Sequence, residues 1–212
     1  MHAVLAVGLA YLVGSIPSAY LAGRWVKGVD LRTVGSGNLG ATNVHRNLGG
    51  VAAIVVLLVD FLKGALPAAI LPRLVDGPGH GSAGAFLWVG LACGVASIAG
   101  HARPIFLLWQ GGGKGVATAA GVFAALAPTA FGLAFVAFAL TFGVTRIVSA
   151  ASISAAIAMP IGMVLSVGIR SPLFLVSLLV SAFVLWSHRS NMVRLRHGTE
   201  PRFGAAAAGG AP

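Results

Sequence analysis

A chain of 212 residues that is 58% hydrophobic and 8% charged, with a mean hydropathy of +0.94, has the composition of a multi-span helical membrane protein and not of a soluble core. Fourteen Lys and Arg stand against four acids, Asp30, Asp60, Asp76 and Glu200, for a net charge of +10. The basic residues lie in short loops between apolar runs, which fits anionic headgroups and a phosphorylated substrate and leaves nucleic acid a poor explanation. The single Cys93 excludes an internal disulfide and a thiolate metal cluster.

The first apolar run covers 3–23 and is interrupted by Gly14, Ser15 and Pro17. No Lys or Arg precedes it and several follow it, so it reads as a span rather than a cleaved signal peptide. Arg24, Lys27, Arg32 and Arg46 crowd the next loop, which places that loop in the cytoplasm and the N-terminus outside. Within this loop, Gly35-Ser36-Gly37-Asn38-Leu39-Gly40-Ala41-Thr42-Asn43-Val44-His45-Arg46 is dense in glycine and hydrogen-bonding side chains. Alternate glycines predict a nest of inward N–H groups suited to an anion. Ser36, Asn38, Thr42 and Asn43 add neutral donors there, and Arg46 adds a planar fork for phosphate. Residues 38–50 are expected to begin as an interfacial helix.

A second span is expected over about 51–72, an outer Gly/Pro loop over 76–82 with His80 exposed in it, and a third span over about 84–100. Asp60 and Lys63, three apart within the second span, read most simply as a buried ion pair. His101 beside Pro104 reads as a boundary residue orienting the loop that follows. That loop, Gln110-Gly111-Gly112-Gly113-Lys114-Gly115, is a second polar cluster, and it offers backbone donors, a lysine and a positive helix end to an anion. It is not a nucleotide P-loop, because Gly115 stands where Ser or Thr is needed and no strand precedes it. The dinucleotide fingerprint formed by Gly35, Gly37 and Gly40 fails for the same lack of a βαβ context.

The uncharged stretch from Gly115 to Thr145, about 31 residues, exceeds the roughly 20 that one span needs. One helix there would leave Arg189, Arg194, Arg196 and Arg202 outside, so two short spans hinged near Pro128 are expected. Spans over about 148–168 and 172–187 then complete an all-α integral membrane protein of seven transmembrane helices, N-terminus outside and C-terminus in the cytoplasm. The chain reads as one domain over 1–203 with a flexible Ala/Gly tail over 204–212. Ser149 and Ser152 are candidate donors to a second phosphate, or bond back within their helix. The third polar cluster, Ser187-His188-Arg189-Ser190-Asn191, closes the last span. There His188 and Asn191 share a helix face and suit a hydroxyl and its proton path.

The four acids cannot build a carboxylate metal site, no His has an Asp five positions later, and neither a metal nor a cofactor is expected. Cations, glycine nests and neutral donors remain, a set that handles phosphorylated substrates by position and charge. The main alternative is a transporter of phosphorylated solutes, which would place such groups near mid-membrane. Three clusters at one boundary favour an enzyme. A lipid-binding scaffold would explain the basic loops but not the paired glycine clusters.

The runs GSGNLGATNVHR, GGKGVAT and HRSNM…GTE resemble, in order and spacing, the three motifs of the bacterial acyl-phosphate:glycerol-3-phosphate acyltransferase family. LVDFLKGALP and TRIVSAAS look familial as well, so the resemblance covers nearly the whole chain. It implies an enzyme of the bacterial cell membrane, with its site on the cytoplasmic side, that moves a fatty acyl group from acyl phosphate to the sn-1 hydroxyl of glycerol 3-phosphate. The products would be lysophosphatidic acid and phosphate. The resemblance also implies a transient contact with the enzyme that supplies acyl phosphate. Residue by residue, it implies that Ser36, Arg46 and Lys114 hold phosphate groups and that His188 and Asn191 sit at the glycerol end. Thr42, Asn43 and Ser152 would support them, and the reading of the polar clusters adds Gly37, Asn38, Gly111, Gly112, Gly113 and Ser149 as candidates to bind phosphate. Ser190 departs from the family, many members of which carry Glu there. The base that takes the hydroxyl proton stays open between His188 and the substrate's own phosphate, whose second pKa lies near ~6; the resemblance favours the phosphate.

Overall fold

The computed structural model describes residues 1–76 and 83–204, and among these every regular element is helical. The outer loop around His80 and most of the Ala/Gly tail lie outside the described residues. The helices gather into two compact units, Met1–Pro128 and Thr129–Pro212.

In the first unit, α1 (Ala3–Gly14) and α2 (Ser18–Lys27) together make one apolar segment broken at Ile16-Pro17. Proline has no N–H to donate and crowds the preceding turn, so the break falls where the sequence places Pro17. Gly28, with φ of +68°, ends α2 in the left-handed region that glycine adopts without a Cβ penalty. The short helix α3 (Ala41–Leu48) then turns the chain into α4 (Gly50–Asp76), a 27-residue helix with Pro67 and Pro72 inside it. A helix, α3, does lie within 38–50, and α4 runs a few residues past the expected end of the second span.

The helices α5 (Ala83–Ala102) and α6 (Val116–Leu126) complete this unit. Close packing here depends on reciprocal small residues. A Cβ on Gly64 of α4 would strike the Thr118 carbonyl of α6, and one on Gly121 of α6 would strike the Phe61 carbonyl of α4. The same exchange joins α1 to α5 through Gly14 against Ser97 and Gly100 against Tyr11. Between apolar helices in lipid, backbone approach of this kind supplies the contact that water would otherwise drive.

The second unit holds α7 (Pro128–Thr145, its first residue closing the first unit), α8 (Val148–Val167), α9 (Pro172–Ser187) and α10 (Arg189–Arg196). The hinge expected near Pro128 is present: α6 ends at Leu126, and Pro128 opens α7 at a position where its missing N–H costs nothing. A bend of 58° separates α9 from α10 at His188. Five segments among the described residues are long and apolar enough to cross a membrane, and six if α9 and α10 count as one bent span. The apolar α6 has 11 residues, about 16 Å at 1.5 Å per residue, and falls short on length.

Candidate active site

The first polar cluster is built on a side chain buried among its own backbone. Asn43, 2% exposed on α3, donates through Nδ2 to the carbonyls of Leu31 (3.1 Å) and Val34 (3.2 Å). Its Oδ1 accepts from the Ser36 N–H (3.0 Å) and from Asn47 Nδ2 (3.1 Å). All four bonding positions of the amide are taken, so Asn43 shapes the loop and has no donor left for a phosphate. Gly35 and Gly37 have φ of +61° and +68°, as the alternate-glycine pattern requires. Two of the N–H groups expected to form an anion nest point elsewhere, however: that of Ser36 to Asn43, and that of Gly37 to the Val34 carbonyl at 3.1 Å. What the loop presents is side chains. Among the described residues, the Ser36 hydroxyl and the Arg46 guanidinium make no hydrogen bond or ion pair within the protein, and both residues are exposed.

The second cluster lies against the first. The Gly112 carbonyl accepts from the Leu39 N–H and from Asn38 Nδ2, both at 3.3 Å, and Arg32 Nη1 donates to the Gln110 carbonyl at 3.3 Å. Asn38 therefore joins the two runs. Gly111 and Gly115 take positive φ, +79° and +81°, and a Cβ on Gly112 would strike the Ala102 carbonyl. Half-buried Lys114 stands two residues before Val116, the first residue of α6, beside that helix's positive end. The neighbouring carboxylate is already matched: Asp30 accepts from Arg32 Nη2 at 2.7 Å and from its Nε at 3.1 Å. Those bonds hold the Asp30 carboxyl below its usual range against the opposing effect of burial.

The third cluster belongs to the second unit, and its centre is a residue that sequence reasoning left in the background. Glu200, 9% exposed, accepts from Ser149 Oγ (2.8 Å), Asn191 Nδ2 (2.6 Å) and Arg194 Nε (2.6 Å). Gly198, at φ +67°, ends the turn that follows α10 and brings Glu200 back to the first turn of α8. Ser149 is thus engaged by a carboxylate, and Ser152, one turn on, donates to the Val148 carbonyl at 2.9 Å, the back-bonding alternative. His188 is 3% exposed, with Nδ1 2.8 Å from the Val184 carbonyl. A carbonyl only accepts, so Nδ1 carries a proton. The signal that could have singled out Glu200 is its scarcity: in a chain with four acids, one that follows three arginines within a dozen positions has partners waiting.

No three His, Cys, Asp or Glu side chains meet in a metal-binding group among the described residues. The first unit carries Ser36, Arg46 and Lys114 on its glycine-rich loops and short helix, and the second holds His188 and Asn191 buried at the bend between α9 and α10.

A family model described as glycerol-3-phosphate acyltransferase matches residues 4–198. A glycerol-3-phosphate acyltransferase of Parasynechococcus marenigrum (strain WH8102) is 47% identical over 207 residues, covering 98% of this chain and 92% of that one. The enzyme of the same description from Prochlorococcus marinus (strain MIT 9211) is 43% identical and covers 95% of each. Among solved structures, the glycerol 3-phosphate form of PlsY (YgiH), an integral membrane glycerol 3-phosphate acyltransferase, superimposes with a TM-score of 0.81 at 38% identity. That match covers 95% of this chain and 96% of PlsY.

Burial pushes the Glu200 carboxyl up, but the bonds from Asn191, Ser149 and Arg194 outweigh it and hold the group below its ordinary value of 4.5. A depressed carboxylate adds stability that is present above the unfolded value and lost as pH falls through the lower folded one. Glu200→Gln should therefore melt below the wild type at pH 7, and the gap should close as the pH falls through the lowered folded value of the wild-type carboxyl, where that side chain also becomes neutral. A gap that stays constant over that range would show that the charge of Glu200 contributes nothing.

Proposed function

The chain belongs to the glycerol-3-phosphate acyltransferase family, and on that premise we propose that it moves a fatty acyl group from acyl phosphate to the sn-1 hydroxyl of glycerol 3-phosphate. The observation that carries this reading is the joining of the first two clusters at the Gly112 carbonyl, which sets the glycine loop and Lys114 beside the loop of Ser36. Acyl phosphate is already activated, so the chemistry needs placement and charge more than acid catalysis. The hydroxyl oxygen attacks the acyl carbonyl carbon, the bond from that carbon to the phosphate oxygen breaks, and phosphate leaves with the electron pair. Arg46 and Lys114 hold phosphate groups and match the charge on the leaving group, with Ser36 and Thr42 as neutral donors. His188 and Asn191 orient the glycerol hydroxyl.

Its proton passes to the acceptor's own phosphate. His188 Nδ1 meets a backbone carbonyl rather than the carboxylate that orients and charges the base of Ser-His-Asp enzymes, which supports that assignment. Purified protein given both substrates should release phosphate in step with lysophosphatidic acid, and release none when glycerol 3-phosphate is left out. Lys114→Ala should lose about 10²-fold or more in turnover, whereas His188→Asn should keep a substantial fraction. Phosphate release without the acceptor, or near-normal turnover by Lys114→Ala, would contradict the reading. A loss of about 10²–10⁴-fold in His188→Asn would make that residue the base instead.

We read residues 1–203 as one acyltransferase domain of the bacterial cell membrane, with α6 as a short seventh span and with the N-terminus outside. The supports are the single family model over 4–198, the break at Pro128 and the basic C-terminal run. With Cys93 replaced by alanine, a cysteine at position 202 should react in intact cells only with reagents that cross the membrane. Labelling by an impermeant reagent would put the C-terminus outside.

A further inference from the structure

Asp60 and Lys63 form an ion pair of 2.8 Å at 1% and 5% exposure, one turn apart in α4. A buried pair is poor evidence of stability in itself, since apolar residues of equal volume usually serve as well. Its other contacts are more informative, because they lead to a helix break and to the end of a neighbouring helix. Lys63 Nζ donates to the Ile16 carbonyl at 2.9 Å, at the break between α1 and α2, and Ser18 Oγ donates to Asp60 Oδ1 at 2.6 Å just beyond that break. On the other side, His101 Nδ1 lies 3.7 Å from the same Oδ1.

The far edge of the His101 ring lies under the glycine loop. A Cβ built on Gly113 would collide with Nε2, Cε1 and Cδ2 of His101, and the Gly113 N–H donates to the His101 carbonyl at 3.2 Å. A pocket of about 10 Å³, enough for one water, has Lys63, His101, Gly112 and Gly113 in its lining. Charge in α4, ring in α5 and glycine loop thus follow one another in order.

We propose that Asp60, Lys63 and His101 are positioning residues for the phosphate loop. The ion pair fixes the imidazole, and the imidazole, lying beneath Gly113, sets the backbone that carries Lys114. This rests on the reading that the glycine loop holds a substrate phosphate. It also gives a reason for glycine at 113 that conformational freedom does not, since Gly113 is absent from the residues with positive φ.

The test compares steady-state constants for both phosphorylated substrates across four variants. Gly113→Ala drives a methyl into the ring and should raise the KM for one substrate about tenfold, equivalent to ~1.4 kcal/mol, with kcat changed far less. His101→Ala should raise the same KM by a similar factor. The double variant Gly113→Ala/His101→Ala should be no worse than either single one, because the methyl enters the space that the ring leaves. Asp60→Asn combined with Lys63→Met leaves no unpaired charge in the membrane, so it should insert and purify normally yet keep the raised KM. A network that only stabilises the fold would lower yield, melting temperature and kcat together and leave KM alone, which overturns the proposal. If Gly113→Ala moves KM but neither His101→Ala nor the ion-pair variant does, the positioning role fails while the loop's role stands. If none of the four moves either KM, both fail.

Discussion

Asp60 and Lys63 sit within 2.8 Å of each other in a helix whose other residues between Val51 and Leu66 carry no charge. Removing one partner of such a pair leaves a bare charge out of water and costs about 3–5 kcal/mol. The two residues are therefore tied to each other, and through Ile16, Ser18 and His101 they tie α1, α2 and α5 to α4. The reciprocal glycine contacts of α4 with α6 and of α1 with α5 bring the same helices to backbone distance. The architecture of the first unit thus rests on one polar cluster inside an apolar bundle, and the glycine loop lies directly against it.

Charge is distributed with the same economy. Each carboxylate whose side chain is described has a cationic partner: Asp30 has Arg32, Asp60 has Lys63, and Glu200 has Arg194. Among the described residues, exposed Arg46 is a cation with no acid beside it. Arg46 is exposed on α3, while Asn43, three residues earlier on that helix, is sealed beneath the loop. One short helix in this way both shapes the glycine loop and carries an exposed cation beside it.

Much of this was legible because the sequence departs sharply from its apolar background. The glycine runs stand out from the composition, the break at Pro128 follows from the length of the uncharged stretch and the basic tail behind it, and the family motifs are read from the resemblance. What could not be read were contacts between distant positions. Asn43 looks like a phosphate donor until Leu31, Val34, Ser36 and Asn47 are seen to occupy its amide. The alternate glycines predicted a nest, and the left-handed turns are there, but whether an N–H meets an anion or a carbonyl depends on the chain around it. Glu200 lay nine positions past Asn191, and only the turn at Gly198 brings it to Ser149 on α8. His101 was expected to orient the following loop; that its ring lies beneath Gly113 required coordinates.

The proposed reaction depends on which bond of the acyl phosphate breaks. With the oxygen bridging carbon and phosphorus labelled with the heavy isotope, attack at the acyl carbon sends the label into the released phosphate. Transfer of the phosphoryl group would leave it in the fatty acid. Mass spectrometry of the products formed with glycerol 3-phosphate decides between the two. The account predicts the label in phosphate, with unlabelled acyl oxygen in lysophosphatidic acid; label recovered in free fatty acid, with a second phosphate on the glycerol, would contradict it.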